Sequence, residues 1–548
     1  MSLWSTIVSR LKEMIKPMIG SRTIEQTLHV TPAISSQMEH AIQLWADMYK
    51  NEAPWIREPS YENPTRVVSL GLPSMIASEK ARTALIEFNS EITTPTEDVE
   101  VENPNYKEPK PDEFGNILPT MEPKTIIESR PKTSTDRAEY LEKQYKKLKK
   151  QLRKQIEYGI AKGGLIIKPY VVISEDSEGN KVSDIEFDYI QADCFYPLSF
   201  NASGRITEAA LIDTKTTKDF VYHRLEYHKW ENNTLTIQNK AFKASANITQ
   251  SELTGIDLGS PISLSNVPEW KDMQETVKIT NVDRPLYGYF KMPEANTIDT
   301  TSPLGVSGYS RAVSLIKDAD MQYSRLLWEY EAGEAAIDID RDALEFVNGT
   351  DREGNPTQQS VLGHLQNRLY RKVDLGESNT FEPWMPTLRD ASFTQGLNTI
   401  LMRIEDVTGL SRGTLSDATQ EARTATELKI LKQRSYQTNA DIQQAIEDTI
   451  KDVIYAANAY CTLYQITPEG EYDISFEWDD SIIVDVDTEL SKRITLMQNG
   501  LSSKLENRMW YFGETERQAE EALRKIDEEN TKSMENELVM EQNREGNI

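Results

Sequence analysis

The feature that most restricts the fold is the stretch at residues 424–465, which contains neither glycine nor proline. A helix through this stretch of about 42 residues would be roughly 60 Å long. Two shorter stretches, at residues 308–333 and 391–408, place apolar side chains at helical spacing. A globular enzyme rarely needs so long a helix, whereas a subunit of a large symmetric assembly can use one.

The segments between these helices predict two different structures. Residues 335–388 carry turn signals at Gly349, Gly354 and Pro356, so we expect a small α/β lobe inserted between the two shorter helices. Residues 409–423 combine glycine, serine and threonine with charges of both signs, which indicates a mobile polar loop before the long helix.

Composition places the chain among soluble proteins with several folding units. For 548 residues, 38% hydrophobic and 27% charged, we expect two to four units. The formal net charge of −27 argues against tight wrapping of nucleic acid, which needs a basic face, but permits DNA to pass without adhering. Cys194 and Cys461 are too far apart to suggest a disulfide framework or a metal site, which favours folding in the cytosol.

No apolar run is long enough to predict a helix that spans a membrane. Arg10, Lys12 and Lys16 interrupt the first residues, so we expect no signal peptide. Residues 4–18 form an amphipathic pattern, for which we favour packing on protein over membrane binding.

The remaining segments predict strands, a loop and two further helices. Residues 165–300 are predicted to be β-rich, with a hairpin turn at Asn232-Asn233, and residues 472–478 alternate as a strand does. Residues 91–132 are acidic and rich in proline, which predicts an exposed or partly disordered insert.

Helices are also predicted near the end of the chain, one beginning at Asp487 and one spanning about residues 507–529. Residues 135–162 predict a helix with a narrow apolar stripe and a basic opposite face. For this face we favour solvent exposure over contact with DNA or an acidic partner. Its basic residues are Lys143, Lys146, Lys147, Lys149, Lys150, Arg153 and Lys154.

The sequence shows no sign of catalysis. It lacks a phosphate-binding loop, the H-E-x-x-H and C-x-x-C patterns and a nucleophile elbow. His223 and His228 fall on opposite faces of one predicted hairpin, which disfavours a shared metal. We therefore predict no catalytic residue, no metal ligand and no cofactor.

Two clusters of aspartates need separate consideration. Asp338-x-Asp340-x-Asp342 begins like a calcium loop but lacks the glycine and closing glutamate of one, so we favour the polar edge of a strand. A second cluster could form a two-metal site, but no histidine or lysine accompanies it. It comprises Asp479, Asp480, Asp485 and Asp487.

Several segments resemble the portal proteins of tailed bacteriophages, specifically those of long-tailed phages of Gram-positive hosts. The similarity lies in the order and spacing of the segments across most of the chain. The segments are Ser69-Leu70-Gly71-Leu72 through Ala77-Ser78-Glu79-Lys80-Ala81, Ala161-Lys162-Gly163-Gly164 through Lys168-Pro169-Tyr170, Ala192 to Leu198, Ser302 to Ser307, and Val407 to Ser411 followed by Thr424 to Glu427.

This resemblance implies an α+β fold with a wing, stem helices, a small α/β clip and a helical crown. The wing would include N-terminal helices, the acidic, proline-rich insert at 91–132 and the β-rich residues 165–300. The implied boundaries are 1–300 for the wing, 301–334 for the first stem helix, 335–388 for the clip, 389–408 for the second stem helix, 409–423 for the tunnel loop, 424–486 for the long wing helix and a strand, and 487–548 for the crown and tail.

The resemblance implies a homo-oligomeric ring, usually of twelve subunits, at one vertex of the virion capsid. Double-stranded DNA would pass through it, and the terminase large subunit, neck or adaptor proteins, and major capsid and scaffold proteins would bind it. Assembly in the host cytoplasm, without a membrane, is expected. At −27 per copy, ring assembly should be sensitive to salt. The alternatives are another ring-forming neck component, or a metal-dependent nuclease that uses Asp479, Asp480 and Asp485.

The implied site residues fall in two groups. The tunnel loop would face DNA, and the clip would present basic residues to its partners. The tunnel-loop residues are Arg412, Gly413, Thr414, Ser416, Asp417, Thr419, Gln420 and Arg423, and the clip residues are His364, Arg368, Arg371 and Lys372.

Overall fold

The computed structural model describes most of the chain. The described residues are 24, 27–30, 33–59, 66–86, 88–103, 106, 125–175, 181–245, 258–340, 346–350, 353–360, 370–373, 381–417, 425–478, 486–513, 519–520 and 522–526. The chain forms two compact units, Met1–Phe476 and Glu477–Ile548. The amphipathic pattern at residues 4–18 lies outside the described residues.

The described α-helices of the first unit include the three predicted around the insert. The helices are α1 (Ser36–Tyr49), α2 (Leu72–Ala84), α3 (Asp136–Lys162), α4 (Val313–Ala332), α5 (Asp390–Thr408) and α6 (Ala425–Leu463). The predicted helices at 308–333, 391–408 and 424–465 are therefore confirmed within a few residues, with a 3₁₀ turn, Ser310–Ala312, preceding α4. None of the described helices is long and apolar enough to cross a membrane.

The strands before α4 form the β-rich part of the first unit. They are β1 (Phe88–Thr93), β2 (Thr96–Glu102), β3 (Thr125–Pro131), β4 (Gly164–Glu175), β5 (Lys181–Gln191), β6 (Phe195–Phe200), β7 (Ile206–Thr216), β8 (Phe220–Glu231), β9 (Thr234–Ser245), β10 (Ser260–Ile262), β11 (Thr276–Thr280) and β12 (Gly288–Lys291).

Strands β4 to β12 form two sheets. One has the order β10-β9-β8-β7-β6, with β11 also paired to β9, and the other has the order β12-β4-β5. The predicted β8–β9 hairpin is confirmed, because Asn232 and Asn233 both have positive φ, as a tight hairpin turn requires. Leu225 and Leu235 are fully buried in two separate apolar clusters on this sheet.

The long helix α6 packs across the smaller sheet. Its fully buried residues recur at helical spacing, which places one apolar face against strands β4 and β12. Gly288 on β12 allows this close approach, because a Cβ there would collide with the Thr449 carbonyl oxygen and the Val453 side chain. The buried residues of this face include Ile442, Ile446, Ile450, Val453 and Ile454.

Arg137 at the start of α3 fixes the end of α6. Its guanidinium is buried and donates hydrogen bonds to Asn458, Thr462, Thr467 and Pro468. Several of these acceptors are carbonyl oxygens near the C-terminal end of α6, where a cation is favoured by the helix dipole. The apolar stripe predicted on α3 is buried as expected.

The inserted lobe (residues 335–388) contains the predicted β structure. Its strands are β13 (Ala336–Asp340), β14 (Phe346–Thr350), β15 (Pro356–Ser360), β16 (Tyr370–Val373) and β17 (Phe381–Trp384). They form the sheet β16-β13-β17 and the hairpin β14-β15. Strand β18 (Asp473–Trp478), predicted from alternation at 472–478, pairs with β1.

The prediction of an irregular insert at 91–132 was wrong at both of its ends. Residues 88–93 form β1, and β2 and β3 pair in antiparallel register from Thr96–Pro131 to Glu102–Thr125. The acidic composition concealed an alternation in which Val99 and Val101 take the same face. Residues 104–105 and 107–124 lie outside the described residues.

The second unit contains α7 (Val486–Gln498) and α8 (Lys504–Phe512). The helix predicted at Asp487 is confirmed. The prediction of one continuous helical region over 507–529 was wrong. Helix α8 begins earlier, at a capping box formed by Ser503 and Glu506, and ends where Gly513 adopts a left-handed conformation. Residues 522–526 are again helical.

A half-buried carboxylate on α1 makes stability depend on pH. Glu39 lies beside Ala192, Phe195 and Tyr196, and its Oε1 has no hydrogen-bond partner in the described part of the chain. Burial raises the pKa of Glu39 from about 4.5 to about 7. Between these values the folded chain holds a proton that the unfolded chain has lost, so stability falls as pH rises through this window.

We therefore expect Glu39→Gln to stabilise the protein above pH 7 and to have little effect near pH 5. At pH 8.5 the free energy of unfolding should increase by about 1–2 kcal/mol, a value that allows for the partial exposure of Glu39. Thermal unfolding of both chains at pH 5 and pH 8.5 measures it, with the exposed Glu52→Gln as control. An equal shift in melting temperature at the two pH values would contradict the assignment.

Candidate functional site: a helix pair with a lobe and a loop

Helices α4 and α5 form an antiparallel pair, called here the helix pair. The end of α4 meets the start of α5, where Gly333 lies against Leu388. Further along, the Gln322 amide reaches the Phe393 carbonyl oxygen. The inserted lobe connects the end of α4 to the start of α5. The loop that follows α5 begins at the opposite end of the helix pair.

One end of the helix pair is embedded in the first unit. Asp320 of α4 is buried, and its carboxylate accepts hydrogen bonds from Trp55 Nε1 at 2.9 Å and from the Leu70 backbone N–H at 2.8 Å. One turn later, the Ser324 hydroxyl oxygen accepts from the Val68 N–H. Burial raises the pKa of Asp320, whereas the two donors oppose that rise. This end of α4 is therefore fixed to the segment before α2.

The other end of the helix pair is held by an ion pair. Arg389 donates to Glu329 through its backbone N–H, its Nε and one terminal nitrogen, at 3.0, 3.0 and 2.6 Å. These hydrogen bonds hold the pKa of Glu329 below its ordinary value. The contact is bidentate, so it fixes the direction in which α5 leaves the lobe.

Large apolar side chains are exposed around this end of the helix pair. Trp328 is 61% exposed and Met385 is 71% exposed. Soluble monomers rarely expose such a group of large apolar residues in one region. The set comprises Trp328, Tyr330, Trp384, Met385 and Leu388.

The lobe places only two of the predicted clip residues within the described strands. Arg371 and Lys372 lie on β16, where Arg371 stands opposite Asp338 in the parallel register with β13. His364 and Arg368 lie outside the described residues. The prediction of a strand at Asp338 and Asp340 is confirmed by β13, which is the central strand of its sheet.

The loop after α5 is organised around one buried carboxylate. Glu405, fully buried on α5, accepts from the Leu415 N–H at 2.6 Å, the Ser416 N–H at 2.9 Å and the Ser416 hydroxyl at 2.8 Å. The Asp417 N–H donates to the Oδ1 atom of Asn398, which lies two turns before Glu405 on α5. Residues 409–417, called here the anchored segment, are thus tied back to α5, in contrast to the mobile loop expected from the sequence.

The predicted tunnel-loop residues therefore differ in their exposure to solvent. Arg412 is exposed and pairs with Asp406 at 2.9 Å, Thr414 donates to the Ser411 carbonyl oxygen, and Asp417 is exposed. Gly413 is exposed, whereas Ser416 is buried against Glu405. Thr419, Gln420 and Arg423 lie outside the described residues.

A buried ionic cluster in the β-rich part was not predicted. Glu226 on β8 accepts from Lys168 at 2.6 Å, Arg224 at 2.8 Å and His228 at 2.6 Å. Burial alone would raise the pKa of Glu226, but these three partners hold it well below its ordinary value. His223, on the opposite face as predicted, lies 3.0 Å from the Thr214 hydroxyl.

The cluster borders a cavity of about 300 Å³ between β5, β7 and β8. Its lining includes Cys194, and burial raises the pKa of that thiol to about 12. A neutral thiol and a carboxylate already engaged by three donors are poor groups for nucleophilic or general-base chemistry. We interpret this cavity as a structural feature of the fold.

The alternative metal site receives no support from the described residues, where no cluster of three or more ligating side chains occurs. Asp479, Asp480, Asp485 and Asp342 lie outside the described residues. Asp487 belongs to α7 in the second unit.

The rest of the first unit, called here the body, is rich in β-strands and carries a helix pair with a β lobe at one end and a loop at the other, which is the arrangement expected above for a phage portal protein. The sequence matches the family described as Phage portal protein, SPP1 Gp6-like, over residues 39–535, and the chain belongs to that family. No individual curated protein shows a significant match.

The chain is therefore a portal subunit of a tailed bacteriophage, a virion component located at the capsid vertex. Portal proteins form oligomeric rings through which the genome is packaged, and the family is structural rather than enzymatic. The α+β fold expected from the sequence is confirmed.

We expect Glu405→Ala to release the anchored segment without unfolding α5. Hydrogen bonds to a charged group contribute about 1.5–3 kcal/mol each, so backbone amide exchange at 409–417 should rise by about 10–100-fold. Hydrogen exchange read by mass spectrometry measures this change. The matched control is Arg403→Ala, which removes an exposed ion pair of α5 outside the anchored segment and should change little. Unchanged exchange in Glu405→Ala would show that the carboxylate does not hold the loop.

Proposed function

We propose that twelve copies of this chain close into a ring in which the helix pairs surround the DNA channel. The observation that supports this arrangement is the polarity of the helix pair, which is embedded at Asp320 and exposed at Trp328. In a ring, the embedded ends would be held by the subunit bodies, and the exposed ends would meet their neighbours.

The regional assignment follows from this polarity. The stem would comprise residues 301–334 and 389–408, the clip 335–388, and the tunnel loop 409–423. The wing would comprise 1–300 with the long helix and strand of 424–486, and the crown 487–548. The strands of the lobe and the buried packing of α6 on the body support these divisions.

The partners follow from the same assignment. The clip would bind the terminase large subunit during packaging, and neck or adaptor proteins afterwards. Its basic residues, His364, Arg368, Arg371 and Lys372, are candidates for these contacts. The wing would meet the major capsid and scaffold proteins, with assembly in the host cytoplasm.

The tunnel loop would contact passing DNA with balanced charge. Arg412 already pairs with Asp406, so its cation is partly neutralised. Asp417 adds an exposed negative charge nearby. Weak and balanced contact with phosphates suits sliding, because tight neutralisation of many phosphates would retain the DNA.

The first test concerns ring closure through the exposed end of the helix pair. We expect Trp328→Asp to prevent ring formation, because a charge would replace an apolar side chain that the neighbouring subunit covers. Electron microscopy and mass measurement should show rings with a DNA-wide opening for the unaltered chain and monomers for the variant. Ile173→Asp, which introduces the same charge at an exposed apolar position outside the helix pair, is the control and should form rings. Rings of unchanged abundance in Trp328→Asp would refute this placement of the interface.

The second test concerns the loop. Deletion of residues 418–422 begins beyond the anchored segment, so the contacts of Glu405 should survive and rings should form normally. We expect genome packaging, or retention of packaged DNA, to fall in particles assembled from this variant. Loss of ring formation instead would assign the loop a structural role, and normal packaging would exclude it from the DNA path.

A further inference from the structure

The β2–β3 hairpin stands apart from the rest of the first unit. Its strands pair with each other over seven residues each, and neither shares an extended contact with another described helix or strand. An isolated two-stranded hairpin is marginally stable in water. A second surface that covers the hairpin would stabilise it.

One face of this hairpin is acidic. Side chains alternate along a strand, so Asp98, Glu100 and Glu102 share a face of β2, and all three are exposed. Their cross-strand neighbours on β3 are Ser129, Ile127 and Thr125, none of which is basic. The three carboxylates therefore form an acidic row about 13 Å long.

Helix α3 carries a complementary row of lysines. Lys143, Lys147, Lys150 and Lys154 follow one another at intervals of four, three and four residues, which places them on one helix face. The row is about 16 Å long, close to the length of the acidic row. Among the described residues, Lys147 pairs with Asp184, and the other three have no ion-pair partner.

Among the described residues, the acidic row and the lysine row share no ion pair, although they are opposite in charge and similar in length. A ring closed by a head-to-tail contact brings two different surfaces of each subunit together. We propose that the acidic row of one subunit binds the lysine row of the next subunit in the ring. This inference rests on the proposed ring and assigns it a second contact, distinct from the exposed end of the helix pair.

DNA is the other class of partner that a lysine row could bind. The observations favour a second copy of the chain, because that partner accounts for both rows at once. A net charge of −27 also opposes the approach of a polyanion to this surface.

The test is a reversal of charge followed by its rescue. In the full-length chain, the double variant Lys150→Glu with Lys154→Glu should repel the acidic row of the neighbouring subunit. The subunit concentration needed for ring formation should then rise by about ten-fold or more. Adding Glu100→Lys with Glu102→Lys should restore assembly towards that of the unaltered chain. Mass photometry across a concentration series measures ring formation, and circular dichroism confirms folding.

The matched control is Lys271→Glu with Lys278→Glu, which makes the same change in net charge at exposed positions elsewhere. The control should assemble like the unaltered chain. Normal assembly of the α3 variant, or failure of the four-residue variant to recover, would overturn the proposal. Normal assembly combined with lost binding to duplex DNA would overturn it in favour of DNA. If the unaltered chain forms no ring, the proposed function itself fails.

Discussion

The orientation of the helix pair depends on one buried carboxylate. The Asp320 carboxylate accepts hydrogen bonds from the Trp55 indole and the Leu70 backbone N–H, which belong to a segment some 250 residues earlier in the chain. A buried carboxylate is costly unless its oxygens are satisfied, and here each oxygen has a donor. The direction of α4, and with it the position of the lobe, is therefore set by a polar contact inside the body, which the Val68–Ser324 hydrogen bond supports one turn later.

The sequence predicted the parts of this architecture that depend on local pattern. The apolar repeat and the absence of glycine and proline specified α4, α5 and α6, because helix period and breakers are local properties. Asn232-Asn233 specified the β8–β9 turn for the same reason, since both residues tolerate positive φ. The family resemblance then supplied what pattern alone could not, namely that these elements belong to a portal.

The parts that escaped prediction depend on partners distant in sequence. Glu226 looks like an ordinary strand residue until folding brings Lys168 to it from another sheet. Glu405 looks like a surface acid of α5, and only the returning chain buries it. The β2 strand was concealed by its carboxylates, because composition suggested disorder where pairing with β3 decided the structure.

The anchor at Glu405 also determines how the loop can respond to α5. Because the carboxylate binds the backbone at Leu415 and Ser416, the anchored segment must follow any shift of the end of α5. Movement of the anchored segment alone would leave a buried carboxylate without donors, at a cost of about 3–5 kcal/mol. The first nine residues of the loop thus behave as an extension of α5. A displacement that reaches this helix from the lobe would therefore be passed to the chain beyond Asp417 and would not be absorbed at the helix end.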